Sequence, residues 1–199
     1  QDRNNHQKRE AMSRGRLFWG IMALLISLTG CSSKEEQPSG SDETDDFGKY
    51  VSGTLPYRMK KIAADNGSKP MLVMYLHGGS SKGNDNETQM KEAAVNVINE
   101  YLSDNSIPSI FIVPQCPSTG SWGAKMNESL ANLIGEYEDL CDGVYVLGGS
   151  MGGTGTWSLA NTYPQKFRGI MPVAGKPGTA SAANFRSMRV CTVMSEADE

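Results

Sequence analysis

Val144-Tyr145-Val146-Leu147-Gly148-Gly149-Ser150-Met151-Gly152-Gly153 is the stretch that decides the fold. An apolar run ends abruptly in Gly148-Gly149-Ser150-Met151-Gly152, a G-x-S-x-G pattern, and a helix-compatible segment, Thr154 to Thr162, follows. A strand that breaks into a helix through so tight a turn leaves no room for side chains on either flank of its serine. Glycines at 148 and 152 supply that room, and the Ser150 hydroxyl is presented above the sheet. A glycine-rich turn that merely contains a serine has the same five letters. The flanking strand and helix favour a nucleophile.

A second motif lies upstream. Pro70-Met71-Leu72-Val73-Met74-Tyr75-Leu76 is continuously apolar, as in a strand covered on both faces of a parallel sheet, and it runs into His77-Gly78-Gly79-Ser80. A loop of this kind brings one backbone N–H to a developing oxyanion, and the residue after the nucleophile brings the other. The expected donors are the amides of Gly79 and Met151, with Gly78 as the alternative to Gly79. His77 is read as a structural histidine that shapes the loop.

The rest of the chain alternates between the two periodicities. Tyr50 to Ile62 reads as early strands, with Lys60 and Lys61 near an exposed edge. Residues 88–103 carry Met90, Ala93, Ala94, Val97, Ile98 and Tyr101 on one helical stripe. Ile107 to Val113 is a buried strand, and Leu130, Leu133, Ile134, Tyr137 and Leu140 form a second stripe. Phe167 to Val173 and Val190 to Met194 read as further strands. Strands alternating with helices of this length predict an α/β fold, a mostly parallel sheet with helices on both faces. Trp157 is assigned to core packing. Trp122 and the Pro117 to Gly123 loop are candidates for a pocket wall or an ordinary surface loop.

Taken together, these segments resemble an α/β-hydrolase of the esterase and "predicted peptidase" group, related to dienelactone hydrolases and to feruloyl and acetyl-xylan esterases. The resemblance rests on Tyr75-Leu76-His77-Gly78-Gly79 with Gly83-Asn84-Asp85-Asn86, then Val113-Pro114-Gln115-Cys116-Pro117. It continues through the Ser150 turn with Gly155-Thr156-Trp157, Tyr163-Pro164 and Phe167, then Pro172-Val173-Ala174-Gly175 and Glu196-Ala197-Asp198. It implies a three-layer sandwich over residues 49–199 and a carboxylesterase acting through an acyl-serine. The implied substrate is a small ester or an acylated carbohydrate, and no cofactor or metal is expected. Two other readings are a serine peptidase of related fold and a non-catalytic binding lipoprotein.

The same resemblance orders the triad as serine, acid, histidine. Asp198 is the acid candidate, with Glu196 behind it; Met194 and Ser195 stand where a His-Gly pair is usual. The chain contains two histidines, His6 and His77, and neither follows Ser150. The reading is therefore of a hydrolase domain truncated at its C-terminus, without its final strand and helix and with its general base beyond residue 199.

The N-terminus speaks to destination. Arg3, Lys8, Arg9, Arg14 and Arg16 precede an uncharged apolar stretch of twelve residues, Leu17 to Leu28, with Met12 as a possible start of translation. That length suits a secretory signal rather than a span. Leu28-Thr29-Gly30-Cys31 resembles a bacterial lipobox. It implies a signal peptide over 1–30, lipid on Cys31, an acidic tether over 31–48 that includes Lys34-Glu35-Glu36, and attachment to the bacterial cell envelope. A net charge of −3 and the lack of basic patches interleaved with aromatics exclude an electrostatic nucleic-acid binder. Besides Cys31, the cysteines are Cys116, Cys141 and Cys191, with no metal-ligand spacing. Cys141 and Cys191 are expected to be buried.

Overall fold

The computed structural model describes residues 47–63 and 67–194, all within one compact unit, Ser41–Glu199. The signal, the lipobox cysteine Cys31, most of the tether, Glu196 and Asp198 lie outside the described residues. Phe47, expected within the tether, is buried with its ring edge-on to Phe111, and the first strand starts at Gly48.

Seven strands form one sheet: β1 (Gly48–Ser52), β2 (Leu55–Ile62), β3 (Met71–Leu76), β4 (Ser109–Pro114), β5 (Val144–Gly149), β6 (Gly169–Val173) and β7 (Arg189–Val190). Their order across the sheet is β1-β2-β4-β3-β5-β6-β7. The first two pairings, β1 with β2 and β2 with β4, are antiparallel; all others are parallel. Lys60 and Lys61 of β2 extend past the end of β1, which pairs only as far as Met59, so they sit at the edge expected of them.

Three helices cross between the strands: α1 (Ala93–Asp104), α2 (Ala124–Gly135) and α3 (Met151–Thr162). Along β3, Leu72, Met74 and Leu76 join one core cluster with Leu130, Leu133 and Ile134 of α2 and Leu159 of α3. Val73 and Tyr75 point the other way and are equally buried, on the face that α1 covers with Val95, Ile98 and Leu102. Each fully buried aliphatic side chain of this kind contributes about 1.5–3 kcal/mol of transfer free energy.

The chain steps from β3 to β4 on one side and then returns to β5 on the other. Helices that follow oppositely directed crossovers cover opposite faces. The reversal makes the crevice beyond the carboxyl ends of β3 and β5 the place where ligands bind in such sheets.

Two stripes read from periodicity shift in register. Residues 88–91 form a 3-10 turn, and Glu92 takes an extended conformation (φ −72°, ψ 127°) before α1 begins. A single stripe cannot run through that break. Ile98 is on the buried face as expected, but Ala93 is exposed, and Val95, Asn99 and Leu102 take the remaining core positions. The second stripe ends with α2 at Gly135, so Leu130, Leu133 and Ile134 are buried while Leu140, in a later turn, is 55 % exposed.

Candidate active site

β5 and α3 meet at Ser150, which has φ 53° and ψ −114°. Among non-glycine residues this positive φ is costly, of order 1–3 kcal/mol, and persists only where neighbours over-determine the backbone. Here they do. The Ser150 N–H donates to the Val173 carbonyl of β6 at 2.9 Å, and the Thr154 N–H donates to the Ser150 carbonyl at 3.1 Å. A Cβ on Gly148 would lie 2.3 Å from the Gly152 carbonyl oxygen, and one on Gly152 would lie 1.8 Å from the Leu76 oxygen. Both glycines are required because α3 starts against the end of β3. Ser150 itself is exposed, as the G-x-S-x-G reading anticipates.

The 77–81 loop lies beside it. Leu76 pairs with Gly148 across β3 and β5, so the residues that follow each strand are neighbours. A Cβ at Gly78 would be 4.0 Å from Ser150 Cβ. The Gly78 N–H is already committed, donating to Glu92 Oε1 at 2.8 Å. Gly79 opens a short 3-10 turn, is exposed, and has no atom within 4 Å of where a Cβ would stand. Met151 is the first residue of α3, so its amide belongs to the first turn, whose N–H groups have no acceptor within the helix. The structure thus places Ser150, the 77–79 loop and Met151 at the same end of the sheet.

His77 is a strut. It is fully buried; its Nε2 accepts the Cys116 N–H at 2.9 Å and its Nδ1 donates to the Gly78 carbonyl at 2.7 Å. That pair of bonds fixes the neutral tautomer with hydrogen on Nδ1, and burial holds its pKa below the ordinary histidine value. The Trp122 indole N–H donates to the His77 carbonyl at 3.0 Å, and the two rings meet edge to face at 5.2 Å. Trp122 is buried, so it is neither pocket wall nor surface loop but a second prop under the same strand end. Trp157 packs against Phe185, in keeping with a core role.

The loop after β3 is tied down further along. Gln115, fully buried at the end of β4, accepts the Asn86 N–H at 2.7 Å and donates to Asp85 Oδ1 at 2.7 Å. Hydrogen bonds, that from the Thr88 hydroxyl foremost, hold the Asp85 carboxyl well below the usual carboxylate range. The Gly83–Asn86 and Val113–Pro117 motifs are therefore scaffold for the loop.

Sequence reasoning overlooked Glu92, whose carboxylate accepts from Gly78, from the Ser81 hydroxyl at 2.7 Å and from the Tyr75 hydroxyl at 2.7 Å. Burial, with the Glu92 charge behind it, pushes the Tyr75 phenol far above its ordinary pKa. A glutamate in a polar stretch before a helix carries no local signal for this. Cys116 is the fully buried cysteine; Cys141 and Cys191, expected to be buried, are half-buried, and burial raises the pKa of all three thiols.

A cavity of about 440 Å³ lined by Asp139, Asp142, Val144, Lys166 and Arg168 opens at the amino-terminal end of β5, opposite Ser150. Among the described residues no cluster of acidic, histidine or cysteine side chains could hold a metal ion, and no helix is long and apolar enough to cross a membrane.

No family model matches the chain, and no curated protein matches it. Solved structures do. A thermostable esterase shares 24 % identity with a TM-score of 0.66, over 75 % of this chain and 46 % of that one. A feruloyl esterase module from Clostridium thermocellum, solved with sinapinate, shares 16 % identity with a TM-score of 0.51, over 73 % of this chain and 62 % of that one. Est1E from Butyrivibrio proteoclasticus shares 12 % identity with a TM-score of 0.51, over 67 % of this chain and 52 % of that one. The chain spans about half the length of these structures. Its parallel sheet, the reversal at β3 and the strand–serine–helix turn give it the α/β-hydrolase fold.

Proposed function

We propose that the chain is a serine hydrolase of carboxylic esters, with Ser150 as nucleophile and the amides of Gly79 and Met151 as oxyanion donors. The observation that carries this reading is the backbone of Ser150. It is a positive-φ residue held at a strand–helix junction, exposed, with the first turn of α3 directly after it and the 77–79 loop beside it. The fold shared with esterases supports it.

In this scheme Ser150 Oγ attacks the ester carbonyl carbon, and an imidazole takes its proton. The carbonyl oxygen becomes an anion held by the two N–H groups. Collapse breaks the bond to the alkoxy oxygen, which takes up the proton from the imidazolium and leaves as the alcohol, and water then hydrolyses the acyl-serine by the same route. Residues 151–199 contain no histidine, and both His77 nitrogens are engaged, so neither supplies that imidazole.

Asp198 is assigned as the acid that orients it. Val193 bridges to Val173, the residue whose carbonyl holds Ser150, so the last described strand contact lies beside the nucleophile. For substrate we favour acyl groups on carbohydrate, and for location the bacterial envelope through lipid on Cys31. Metabolic labelling with a fatty acid, lost in Cys31→Ala, tests the second point.

The central test is labelling of the full chain by a fluorophosphonate probe with imidazole supplied in solution. Labelling that Ser150→Ala abolishes supports the nucleophile. A folded whole gene product, its own catalytic histidine included, that stays unlabelled refutes the hydrolase reading and favours a binding protein.

A further inference from the structure

Glu92 precedes α1 at its capping position, yet its carboxylate makes no bond to the start of that helix. An acidic side chain there ordinarily accepts the first free helical amides. This one turns away and gathers three donors from elsewhere. Oε1 takes the Gly78 N–H at 2.8 Å and the Ser81 hydroxyl at 2.7 Å, and Oε2 takes the Tyr75 hydroxyl at 2.7 Å. Tyr75 and Gly78 precede the short turn Gly79–Ser81, and Ser81 closes it. Gly78 stands between the carboxylate and the serine: a Cβ there would be 3.3 Å from Glu92 Oε1 and 4.0 Å from Ser150 Cβ.

We propose that Glu92 is the positioning residue of the oxyanion loop. It fastens the Gly78 amide, so that this N–H points away from substrate and the next one, Gly79, is the donor that faces it. His77 completes the clamp from the other side, its Nδ1–H holding the Gly78 carbonyl at 2.7 Å. The peptide groups on either side of Gly78 are thereby fixed, and the orientation of the Gly79 amide follows from theirs. Glu92 touches no reacting atom; it acts through the loop. The inference rests on the serine-hydrolase reading of Ser150.

The test uses the full chain with p-nitrophenyl acetate, imidazole in solution, and Ser150→Ala as background. Losing one oxyanion donor outright costs ~100–1000-fold in kcat, and a donor displaced rather than deleted costs less. Glu92→Ala is expected to lower kcat about 10–100-fold per folded molecule, with KM within about threefold. Glu92→Gln keeps an oxygen for Gly78 and Ser81, and its NH2 donates to the Tyr75 oxygen. It is expected to restore kcat to within about fivefold of the parent.

If Glu92→Ala does not fold, Tyr75→Phe with Ser81→Ala releases two of the three partners and is expected to lower kcat about 3–10-fold. A kcat for Glu92→Ala within about twofold of the parent overturns the inference, as does a Gln variant no better than the Ala one. If the double variant stands in, a kcat unchanged from the parent overturns it. A parent chain whose turnover equals that of Ser150→Ala overturns the nucleophile reading itself, and the role of Glu92 with it.

Discussion

Adding one methyl group at Gly152 tests whether α3 really abuts the end of β3. A Cβ there would lie 1.8 Å from the Leu76 carbonyl oxygen, 2.5 Å from its carbon and 2.8 Å from the His77 oxygen. All three are backbone atoms, so no side chain can swing aside. The helix must lift off the sheet by more than ~1 Å to reach ordinary van der Waals separation. Overpacking a close-packed site costs ~1–3 kcal/mol, and contact with strand backbone on this scale belongs at the upper end, ~3 kcal/mol. For a domain of this size that is a fall in Tm of about 6–12 °C.

The same displacement carries Ser150 away from the 77–79 loop, and a 1 Å misplacement costs ~100-fold in rate. Gly79→Ala is the control for stability, because nothing lies within 4 Å of its Cβ position. Thermal melts of the two variants and rates of fluorophosphonate labelling of Gly152→Ala provide the readouts. A Gly152→Ala protein melting within ~2 °C of wild type and labelling at the same rate would refute the close approach and the placement of the serine that depends on it.

Three further outcomes are expected. Ser150→Gly relieves a positive φ that glycine adopts freely, so it should gain about 1 kcal/mol and melt ~2–4 °C higher while losing all labelling. Trp122→Phe removes the indole donor to the His77 carbonyl from a buried site and should cost ~1–3 kcal/mol in urea unfolding, because that oxygen is left without this donor. His77 should make stability fall with acid. Its folded pKa is depressed, so the unfolded chain binds the proton first, and the loss begins as pH drops through the free histidine value of ~6.5. Melts at pH 7.5, 6.5 and 5.5 should show this in wild type and less of it in His77→Gln; equal slopes would count against a buried neutral imidazole.

The site's backbone was legible because it is local. Gly148 to Gly152 and His77 to Gly79 each sit where a continuous apolar run stops, and the structure brings their carboxyl ends together. What escaped depends on residues far apart in sequence or on a break within a periodic run. Glu92 interrupts the helical repeat with extended backbone, which rotated the core face of α1 away from Ala93 and onto Val95 and Leu102. Its carboxylate and the indole of Trp122 find partners 14 and 45 residues away, at Gly78 and His77. No spacing rule reports such pairings. Leu140 belonged to the α2 stripe only if the helix ran on past Gly135, and it does not.

The order of strands also bears on how the molecule acquires its reactive turn. β1 and β2 are joined by two residues and pair as a hairpin, so they need little loop closure. Ser150, in contrast, is held by the Val173 carbonyl, and the glycines flanking it pack against Leu76 and against each other, an arrangement that exists only once β3, β5 and β6 have docked in parallel across long connections. A strained residue cannot keep its geometry before the surroundings that impose it are assembled. In a refolding experiment chemical competence should therefore emerge last, after secondary structure has returned, and a probe arriving early would find a serine no more reactive than one in an unfolded peptide.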